Sequence, residues 1–227
     1  MVNPGCRIYG DFTRPPKELV QSFRNIPVAN IDDNMGRTAA IHYSIRHINA
    51  GKGTLVGTAF TVKVPEGDNL MFHKAMDMAQ PGDVIMIDAG GGSERAILGA
   101  LMANYCKVKK IAGIVVDGSI RDTEEIAALD DFHVFAKGIT PNGPYKNGPG
   151  EIGGVISVGG RVVHPGDIIV GDDDGVVVIR PDDALEVLEK SKAVLAKEDS
   201  IMKGILKGEY VRPWVEEKLK EIGCVYL

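Results

Sequence analysis

The chain has 227 residues, of which 44% are hydrophobic and 25% charged, a composition that allows a substantial core within one domain. A formal net charge of −5 without a concentrated basic stripe disfavours a nucleic-acid-binding surface and leaves small acidic metabolites as candidate partners. No apolar run reaches the roughly 18 residues of a membrane-spanning helix, and the first residues lack the apolar stretch of a signal peptide. We therefore expect a cytoplasmic protein without a membrane partner.

Three cysteines, Cys6, Cys106 and Cys224, have neither CxxC nor cysteine–histidine spacing. The sequence therefore supports neither a disulfide framework nor a structural zinc site. We expect packing or bystander thiols, since free cysteine is among the most buried residue types.

The first half of the chain predicts helices around a strand–helix–strand unit. The β-branched run from Thr54 to Val62 is typical of a half-buried strand, and Pro81-Gly82-Asp83 is typical of a turn that feeds the apolar run 84–87. The other expected elements are an opening helix at about 15–26, a helix or irregular segment at 38–48, a helix at about 69–79, a glycine cluster at 90–92, a helix at 93–107 and a buried strand at 111–116.

The second half predicts shorter elements and then a long helix. Pro165-Gly166-Asp167 repeats the earlier Pro-Gly-Asp turn before another apolar strand, and we interpret the echo as reused turn chemistry. The expected elements are a helix at 122–129, a strand at 133–137, a glycine- and proline-rich loop at 140–154, strands at 155–163 and 167–179, the second broken at 172–175, a long helix at about 182–207 and a short helix at about 213–221.

The glycine cluster Gly90-Gly91-Gly92 matches neither the dinucleotide fingerprint nor a phosphate-binding P-loop. A methyltransferase loop is an alternative, because Asp117 ends the following strand, but at least one strand precedes this unit, which disfavours that interpretation. His73, on the predicted helix 69–79, lies either near this loop or in a structural position, and the structural interpretation is the commoner one for a lone histidine.

Arg121 and Asp122 are the strongest candidates for chemistry. They follow a buried strand and a glycine turn, at the carboxyl end where α/β proteins commonly bind ligands. Arginine can grip a carboxylate through two parallel hydrogen bonds, and aspartate supplies the hard oxygen that Mg²⁺ or Mn²⁺ prefers. The alternative is structural, since the stretch Asp122-Thr123-Glu124-Glu125 has the spacing of a helix capping box.

The same pair belongs to a longer pattern of five separated blocks in a fixed order. The blocks are Gly99-Ala100-Leu101-Met102, Gly113, the run 117–122, the run 137–146 and the run 163–177. In these blocks the chain resembles the RraA-like family over roughly residues 28 to 208. That family includes 4-hydroxy-4-methyl-2-oxoglutarate aldolases, which also act as oxaloacetate decarboxylases, and the regulator of ribonuclease E activity.

The resemblance implies roles for particular residues. Arg121 is expected to bind the substrate carboxylate and Asp122 to ligate a divalent cation, Mg²⁺ or Mn²⁺. Lys146 matches a basic position of the site loop, and Glu198 matches a carboxylate that reaches the site of a neighbouring subunit. Backbone amides are expected to contact pyruvate at Gly99, Ala100, Leu101 and Met102.

The chain departs from the family at Ala100, where the aldolases usually carry Asp or Glu directly after the glycine. Asp88 or Glu94 is a candidate substitute for that carboxylate. The departure leaves two interpretations open: a metal-dependent lyase that forms pyruvate by aldol cleavage or by decarboxylation of oxaloacetate, and a catalytically silent regulatory protein that binds a ribonuclease or another partner.

The resemblance also implies the architecture. We expect an α/β fold, a compact sandwich of mixed β-sheets with outer helices of the swivelling β/β/α type. A single domain is expected over residues 1–227, with an N-terminal helical segment at about 1–50 and C-terminal helices at about 182–222 packed on it. Family members assemble as trimers or hexamers with sites between subunits, so the predicted assembly is a homotrimer or a dimer of trimers.

Overall fold

The computed structural model describes residues 4–10, 12–50, 53–92 and 94–227. The chain divides into two units, residues 1–191 and 192–227. The strands are β1 (Cys6–Ile8), β2 (Arg46–His47), β3 (Leu55–Lys63), β4 (Asp83–Asp88), β5 (Ala96–Leu98), β6 (Gly113–Ile120), β7 (His133–Ile139), β8 (Gly150–Ile152), β9 (Ile156–Val158), β10 (Arg161–Val163), β11 (Ile168–Asp172) and β12 (Gly175–Ile179). The helices are α1 (Lys17–Gln21), α2 (Val28–Asn34), α3 (Leu70–Met78), α4 (Ala100–Val108), α5 (Thr123–Ala127), α6 (Ala184–Leu206) and α7 (Pro213–Glu221).

The first unit is built on a mixed sheet. Strands β3, β4, β6 and β7 run parallel in that order, and their near-continuous apolar composition is typical of parallel strands buried on both faces. Antiparallel β11 and β8 pair with β3, antiparallel β2 pairs with β7, and β9 and β10 form a separate hairpin. The predicted α/β class with mixed sheets and outer helices is confirmed.

Alternation of side chains along the strands divides the core. One face of β3, β4, β6 and β7 packs under α3, α4 and α5, with Phe72 and Ile126 fully buried there. The opposite face packs against the β9–β10 hairpin around Met86 and Phe135. A third cluster joins α1, α2 and the start of α6 to β11 and β12. Successive residues of a strand point to opposite faces, so the same strands supply the first two clusters.

Several sequence predictions need correction. The predicted helix 93–107 is wrong in its first part, because Ala96–Leu98 is strand β5 and the helix begins at Ala100. The predicted strand 155–163 is a hairpin that turns at the glycine pair 159–160. The opening helix is shorter than predicted and is followed by α2, which the sequence reading missed, while 38–48 is irregular apart from β2.

The two Pro-Gly-Asp segments form turns with the same hydrogen bond, as predicted. Asp83 Oδ2 accepts a hydrogen bond from the Gln80 amide, and Asp167 Oδ2 accepts one from the His164 amide, both at 2.8 Å. Each carboxylate also receives an arginine from elsewhere in the fold, Arg14 for Asp83 and Arg180 for Asp167.

The cysteines do not pair. All three are free, and burial raises the pKa of the Cys106 thiol to about 12, so this group stays protonated at neutral pH. Cys6 and Cys224 are exposed.

The second unit, Lys192–Leu227, contains the last part of α6 and the helix α7. Within it, Lys218 and Glu221 form an ion pair on α7, and the Tyr226 hydroxyl donates to the Glu216 carboxylate. No helix in the described ranges is long and apolar enough to cross a membrane. The prediction of a single domain over 1–227 stays a prediction.

Candidate active site

The short strand β5 brings two distant segments together. Strand β4 stops pairing with β6 at the Asp88–Asp117 register position, and β5 then takes its place beside β6, with Leu98 opposite Ile120. The Arg121 amide continues this ladder by donating to the Leu98 carbonyl at 3.0 Å. As a result, the start of α4 lies beside the two residues that follow β6.

Asp122 is held in a left-handed backbone conformation, with φ 57° and ψ 43°. It occupies the position before α5, but its side chain makes no capping hydrogen bond to that helix. Its Oδ2 instead accepts a hydrogen bond from the Ala100 amide at 3.0 Å. The capping-box alternative is therefore wrong for this side chain, which faces the amino end of α4, where the helix dipole favours a negative charge.

Gly99 is required by this contact. A Cβ atom on Gly99 would lie 2.2 Å from Asp122 Oδ2, a separation that real Cβ atoms do not adopt. The backbone there is extended, with φ −141°, so glycine serves close approach at this position and not an unusual φ.

A cavity of about 250 Å³ opens next to this pair. Its wall combines the start of α3, the β5–α4 junction, the end of β6 and the loop after β7. The described residues that line it are Asn69, His73, Ile97, Leu98, Gly99, Leu101, Met102, Arg121, Asp122, Pro144 and Lys146. Six of the residues named from the sequence therefore lie on one cavity: Gly99, Leu101, Met102, Arg121, Asp122 and Lys146.

The side chains of Arg121 and Asp122, which line the cavity, do not form a hydrogen bond with each other. Arg121 Nε lies 3.6 Å from Asp122 Oδ2, which is beyond hydrogen-bonding distance, and the two side chains are 44% and 38% exposed. The guanidinium therefore keeps donors for a ligand, as bidentate binding of a carboxylate requires.

The loop after β7 is fastened to the start of α3. Asp68 Oδ2 accepts hydrogen bonds from the amides of Asn147 and Gly148, at 2.6 and 3.1 Å, and the Asn69 amide donates to the Tyr145 carbonyl. The Arg95 guanidinium lies 4.1 Å from the centre of the Tyr145 ring. These contacts hold Lys146 on the rim of the cavity.

Asn69 and His73 line the cavity, although the sequence reading gave neither a role in the site. Asn69 is 1% exposed; its Nδ2 donates to the Ile97 carbonyl at 2.8 Å, and its Oδ1 has no hydrogen-bond partner among the described residues. Partial burial, followed by the nearby Lys146 charge, lowers the pKa of His73. Their four-residue spacing on a predicted helix was the one sequence signal that places them on the same face.

Four other candidates are not in this lining. Asp88 Oδ1 accepts a hydrogen bond from the Gly90 amide, and the Glu94 carbonyl accepts one from Thr140 Oγ1. Neither belongs to the described residues around the cavity, and Ala100 enters the site through its amide only. Glu198 lies on α6 within the second unit.

The donor set around Asp122 fits a hard divalent cation bound by few protein ligands. No group of three His, Cys, Asp or Glu side chains within the described ranges is arranged to hold a metal ion. Asp122 Oδ1, however, makes no hydrogen bond to the residues that the structure describes. Mg²⁺ commonly binds through one or two carboxylates and takes its other ligands from water and substrate.

Fold and site together define an α/β protein with a cavity lined by a charged pair at the carboxyl ends of its parallel strands. The chain belongs to the RraA-like family: the family profile, described as Aldolase/RraA, matches residues 28–178. A Halalkalibacterium halodurans protein named "Putative 4-hydroxy-4-methyl-2-oxoglutarate aldolase" is 42% identical over 183 residues, covering 81% of this chain and 86% of the relative.

Two further relatives represent the two named activities of the family. A 4-hydroxy-4-methyl-2-oxoglutarate aldolase of Thermus thermophilus is 33% identical over 129 residues, covering 57% of this chain and 77% of that protein. The crystal structure of Streptomyces coelicolor RraAS2, described as an unusual member of the RNase ES inhibitor RraA protein family, superposes with a TM-score of 0.73 at 27% identity. That match covers 84% of this chain and all of the other.

Proposed function

We propose that this protein is a divalent-cation-dependent lyase that cleaves 4-hydroxy-4-methyl-2-oxoglutarate and related 2-oxo acids to pyruvate and decarboxylates oxaloacetate. The observation that carries the proposal is the open Arg121–Asp122 pair on a cavity of about 250 Å³ beside the amides of α4. The names of the relatives from Halalkalibacterium and Thermus support the aldolase activity.

Both reactions pass through the enolate of pyruvate, so stabilising negative charge on a small 2-oxo acid is the shared task. The Arg121 guanidinium pairs with the substrate carboxylate through its open donors. The Leu101 amide, in the first turn of α4, is open to the same anion, which the helix dipole also favours, whereas the Met102 amide already donates to the Gly99 carbonyl. Lys146, exposed on the rim, adds a positive charge where the substrate enters.

Asp122 would hold the cation through Oδ1, while the Ala100 amide fixes Oδ2. A divalent cation, Mg²⁺ or Mn²⁺, supplies Lewis-acid polarisation of the keto group when bound. Because Gly99 leaves no side chain between α4 and Asp122, the carboxylate and the helix amides act on one substrate from adjacent positions.

The proposal is tested by following pyruvate release. Purified protein with Mg²⁺ is supplied with 4-hydroxy-4-methyl-2-oxoglutarate or oxaloacetate, and the enzyme-free rate is subtracted. Arg121→Ala and Asp122→Ala are each expected to lower kcat/KM by about 10² to 10³, the scale of one preorganised charge-stabilising donor. Arg121→Lys is the matched control, which keeps the charge but removes the planar fork.

Two outcomes would reject this function: no pyruvate from either substrate with wild-type protein, or equal rates in wild type and both alanine variants. Chelation of the cation is expected to stop both reactions and its return to restore them. A reaction insensitive to chelation would reject the cation requirement alone.

A regulatory role is the second candidate, and two observations favour it. Ala100 removes a carboxylate that aldolases of the family usually carry, and the similar RraAS2 structure belongs to a family described by ribonuclease inhibition. Inhibition of a purified ribonuclease E-type enzyme at stoichiometric concentration, by wild type and by Asp122→Ala alike, would support this role. Such inhibition combined with absent pyruvate formation would replace the lyase proposal.

We also propose assembly as a homotrimer or a dimer of trimers, with Glu198 contributing to a neighbour's site. Exposed apolar side chains on α4 support an interface beside the cavity, with Leu101 87% and Val108 82% exposed in the single chain. Light scattering after size exclusion measures the assembly directly. A monomer with full activity would contradict both the trimer and the role of Glu198.

A further inference from the structure

Aldol cleavage requires a group that takes a proton from the substrate hydroxyl, and the chain lacks the family's acid at Ala100. Neither Asp88 nor Glu94 is among the described residues that line the cavity. Next to the β5–α4 junction, the cavity wall includes the start of α3, where Asn69 and His73 lie one turn apart and the His73 amide donates to the Asn69 carbonyl.

Asn69 shows what kind of group this wall accepts. Its carboxamide orientation is set by the 2.8 Å hydrogen bond from Nδ2 to the Ile97 carbonyl, which leaves Oδ1 as the acceptor. Oδ1 is buried and has no partner among the described residues. Buried polar atoms are normally paired, so an unpaired acceptor in a residue that lines the cavity points to a ligand that brings a donor. The oxygen is covered in this structure, and a small shift of the carboxamide would expose it to such a ligand.

We propose that His73 is the general base of aldol cleavage in this chain, and that Asn69 Oδ1 positions the substrate hydroxyl for it. This inference rests on the lyase function proposed above. The substrate it selects carries a carboxylate for Arg121 at one end and a hydroxyl for the α3 wall at the other. A carboxamide oxygen is too weakly basic to remove the proton, so Asn69 positions while the imidazole reacts.

The proposed step is balanced without another reactant. The neutral imidazole of His73 takes the C4 hydroxyl proton, the C4–O bond becomes a carbonyl, and the C3–C4 bond breaks. Its electron pair forms the enolate of pyruvate, and the imidazolium returns the proton to C3 directly or through water. With 4-hydroxy-4-methyl-2-oxoglutarate the products are two molecules of pyruvate.

The surroundings of His73 favour its neutral form. Partial burial and the Lys146 ammonium lower its pKa, while Asp77 on the same helix acts in the opposite direction with a smaller effect. Arg121 and Asp122 are the other charged residues on the cavity. A base that is unprotonated at neutral pH suits the removal of a hydroxyl proton.

The two lyase reactions separate this role from a structural one. Decarboxylation of oxaloacetate releases CO₂ from a carboxylate and has no hydroxyl proton to remove. His73→Gln is therefore expected to lower kcat for 4-hydroxy-4-methyl-2-oxoglutarate by about 10² to 10⁴. Its oxaloacetate decarboxylation should fall by a much smaller factor, because the two reactions share only the final protonation at C3, which water can also supply. The exposed His42 provides the control variant, His42→Gln, which should match wild type in both reactions.

The pH profile and a binding measurement complete the test. Wild-type aldol cleavage should fall on the acid side with an inflection below pH 6.5, and decarboxylation should lack that inflection. Oxalate has no hydroxyl, so its affinity in the presence of Mg²⁺, measured by calorimetry, should be the same for wild type and His73→Gln. His73→Asn, compared by circular dichroism, serves as a second variant if the first is unstable.

Equal loss of both reactions in folded His73 variants, or full aldol cleavage without His73, would overturn the assignment. An unchanged acid limb in His73→Gln would also overturn it. Absence of both reactions in wild type would instead reject the lyase function, and the role of His73 with it.

Discussion

The parallel strands β4, β6 and β7 carry charged or titratable side chains at both ends, but the two ends treat them differently. At the amino end, Asp83 is 1% exposed and accepts hydrogen bonds from Arg14 Nε, Arg14 Nη2 and the Gln80 amide. At the carboxyl end, Arg121 and Asp122 are partly exposed and not hydrogen-bonded to each other. Asp83 is therefore satisfied within the chain, whereas Arg121 and Asp122 keep capacity for a ligand.

Two histidines, His133 and His73, also differ in their surroundings. His133 begins β7, is buried and shares a 3.2 Å contact with His47, whose other ring nitrogen lies 2.7 Å from Asp173 Oδ1. His133 lines a separate cavity at the amino ends of the strands, whereas His73 lines the cavity that also holds Arg121 and Asp122. The difference teaches that burial with a close partner at the amino end, and partial exposure on a shared cavity at the carboxyl end, distinguish side chains that a residue pattern alone would treat alike.

The largest expected effect comes from adding a side chain at Gly99, where α4 approaches Asp122. Gly99→Ala places a Cβ on Asp122 Oδ2 and forces the carboxylate to move, so pyruvate formation should fall by about 10² or more. Gly10→Ala is the control, since a Cβ at that position would meet no atom within 4 Å. Steady-state kinetics on both variants measure the contrast, and equal activities would remove the argument for close approach.

A stability measurement tests the role of the buried groups at the amino end of the strands. Asp83→Ala leaves the Gln80 amide and the Arg14 guanidinium without this buried partner, and should lower the free energy of unfolding by about 3 kcal/mol. That corresponds to a Tm lower by roughly 6 to 12 °C for a chain of this size. Asp122→Ala, at a partly exposed pair, should cost about 1 kcal/mol or less. Denaturation followed by circular dichroism tests both, and similar losses would contradict the division.

The pH dependence of stability should report on His133. Burial, with the neighbouring His47 second, lowers the pKa of His133 to about 4, below the 6.5 of an exposed histidine. The unfolded chain then binds the proton more readily, so stability is complete above pH 6.5 and falls as the pH drops toward 4. The limiting loss is about 3 kcal/mol. The difference between wild type and His133→Gln isolates this contribution, and parallel curves would show that it is absent.

The smallest expected effect is a shift in the titration of His73. Lys146→Gln removes the second-largest cause of its lowered pKa and leaves burial, so the pKa should move part of the way back toward 6.5. Proton NMR of the His73 ring in cation-free protein measures the shift. An unchanged or lower pKa of His73 in this variant would show that the Lys146 charge does not act on the imidazole.

The central strands were predictable because their physics is local. β3, β4, β6 and β7 are short apolar runs rich in β-branched residues, and turn residues mark several of their boundaries. Strand β5 was not predictable in this way, since Ala96-Ile97-Leu98 also fits the apolar spacing of the helix that follows. Only its register beside the last residues of β6, a tertiary contact, selects the extended conformation.

The candidate site also contains residues that the sequence could indicate and residues that it could not. Arg121 and Asp122 follow a strand directly, so the position of a strand end was enough to indicate them. Asn69 and His73 reach the cavity from α3, and nothing local shows that α3 starts opposite the end of β6. The unpaired Oδ1 of Asn69 is likewise a property of packing, which a residue pattern does not contain.

The left-handed backbone conformation of Asp122 limits which residues can replace it without strain. A left-handed residue with φ 57° suits glycine, asparagine and aspartate, is also adopted in this chain by the long unbranched Arg37 and Lys110, and is most strained for β-branched side chains. Exchange of the carboxylate for asparagine or glycine therefore keeps this bend, whereas valine, isoleucine or threonine would strain it.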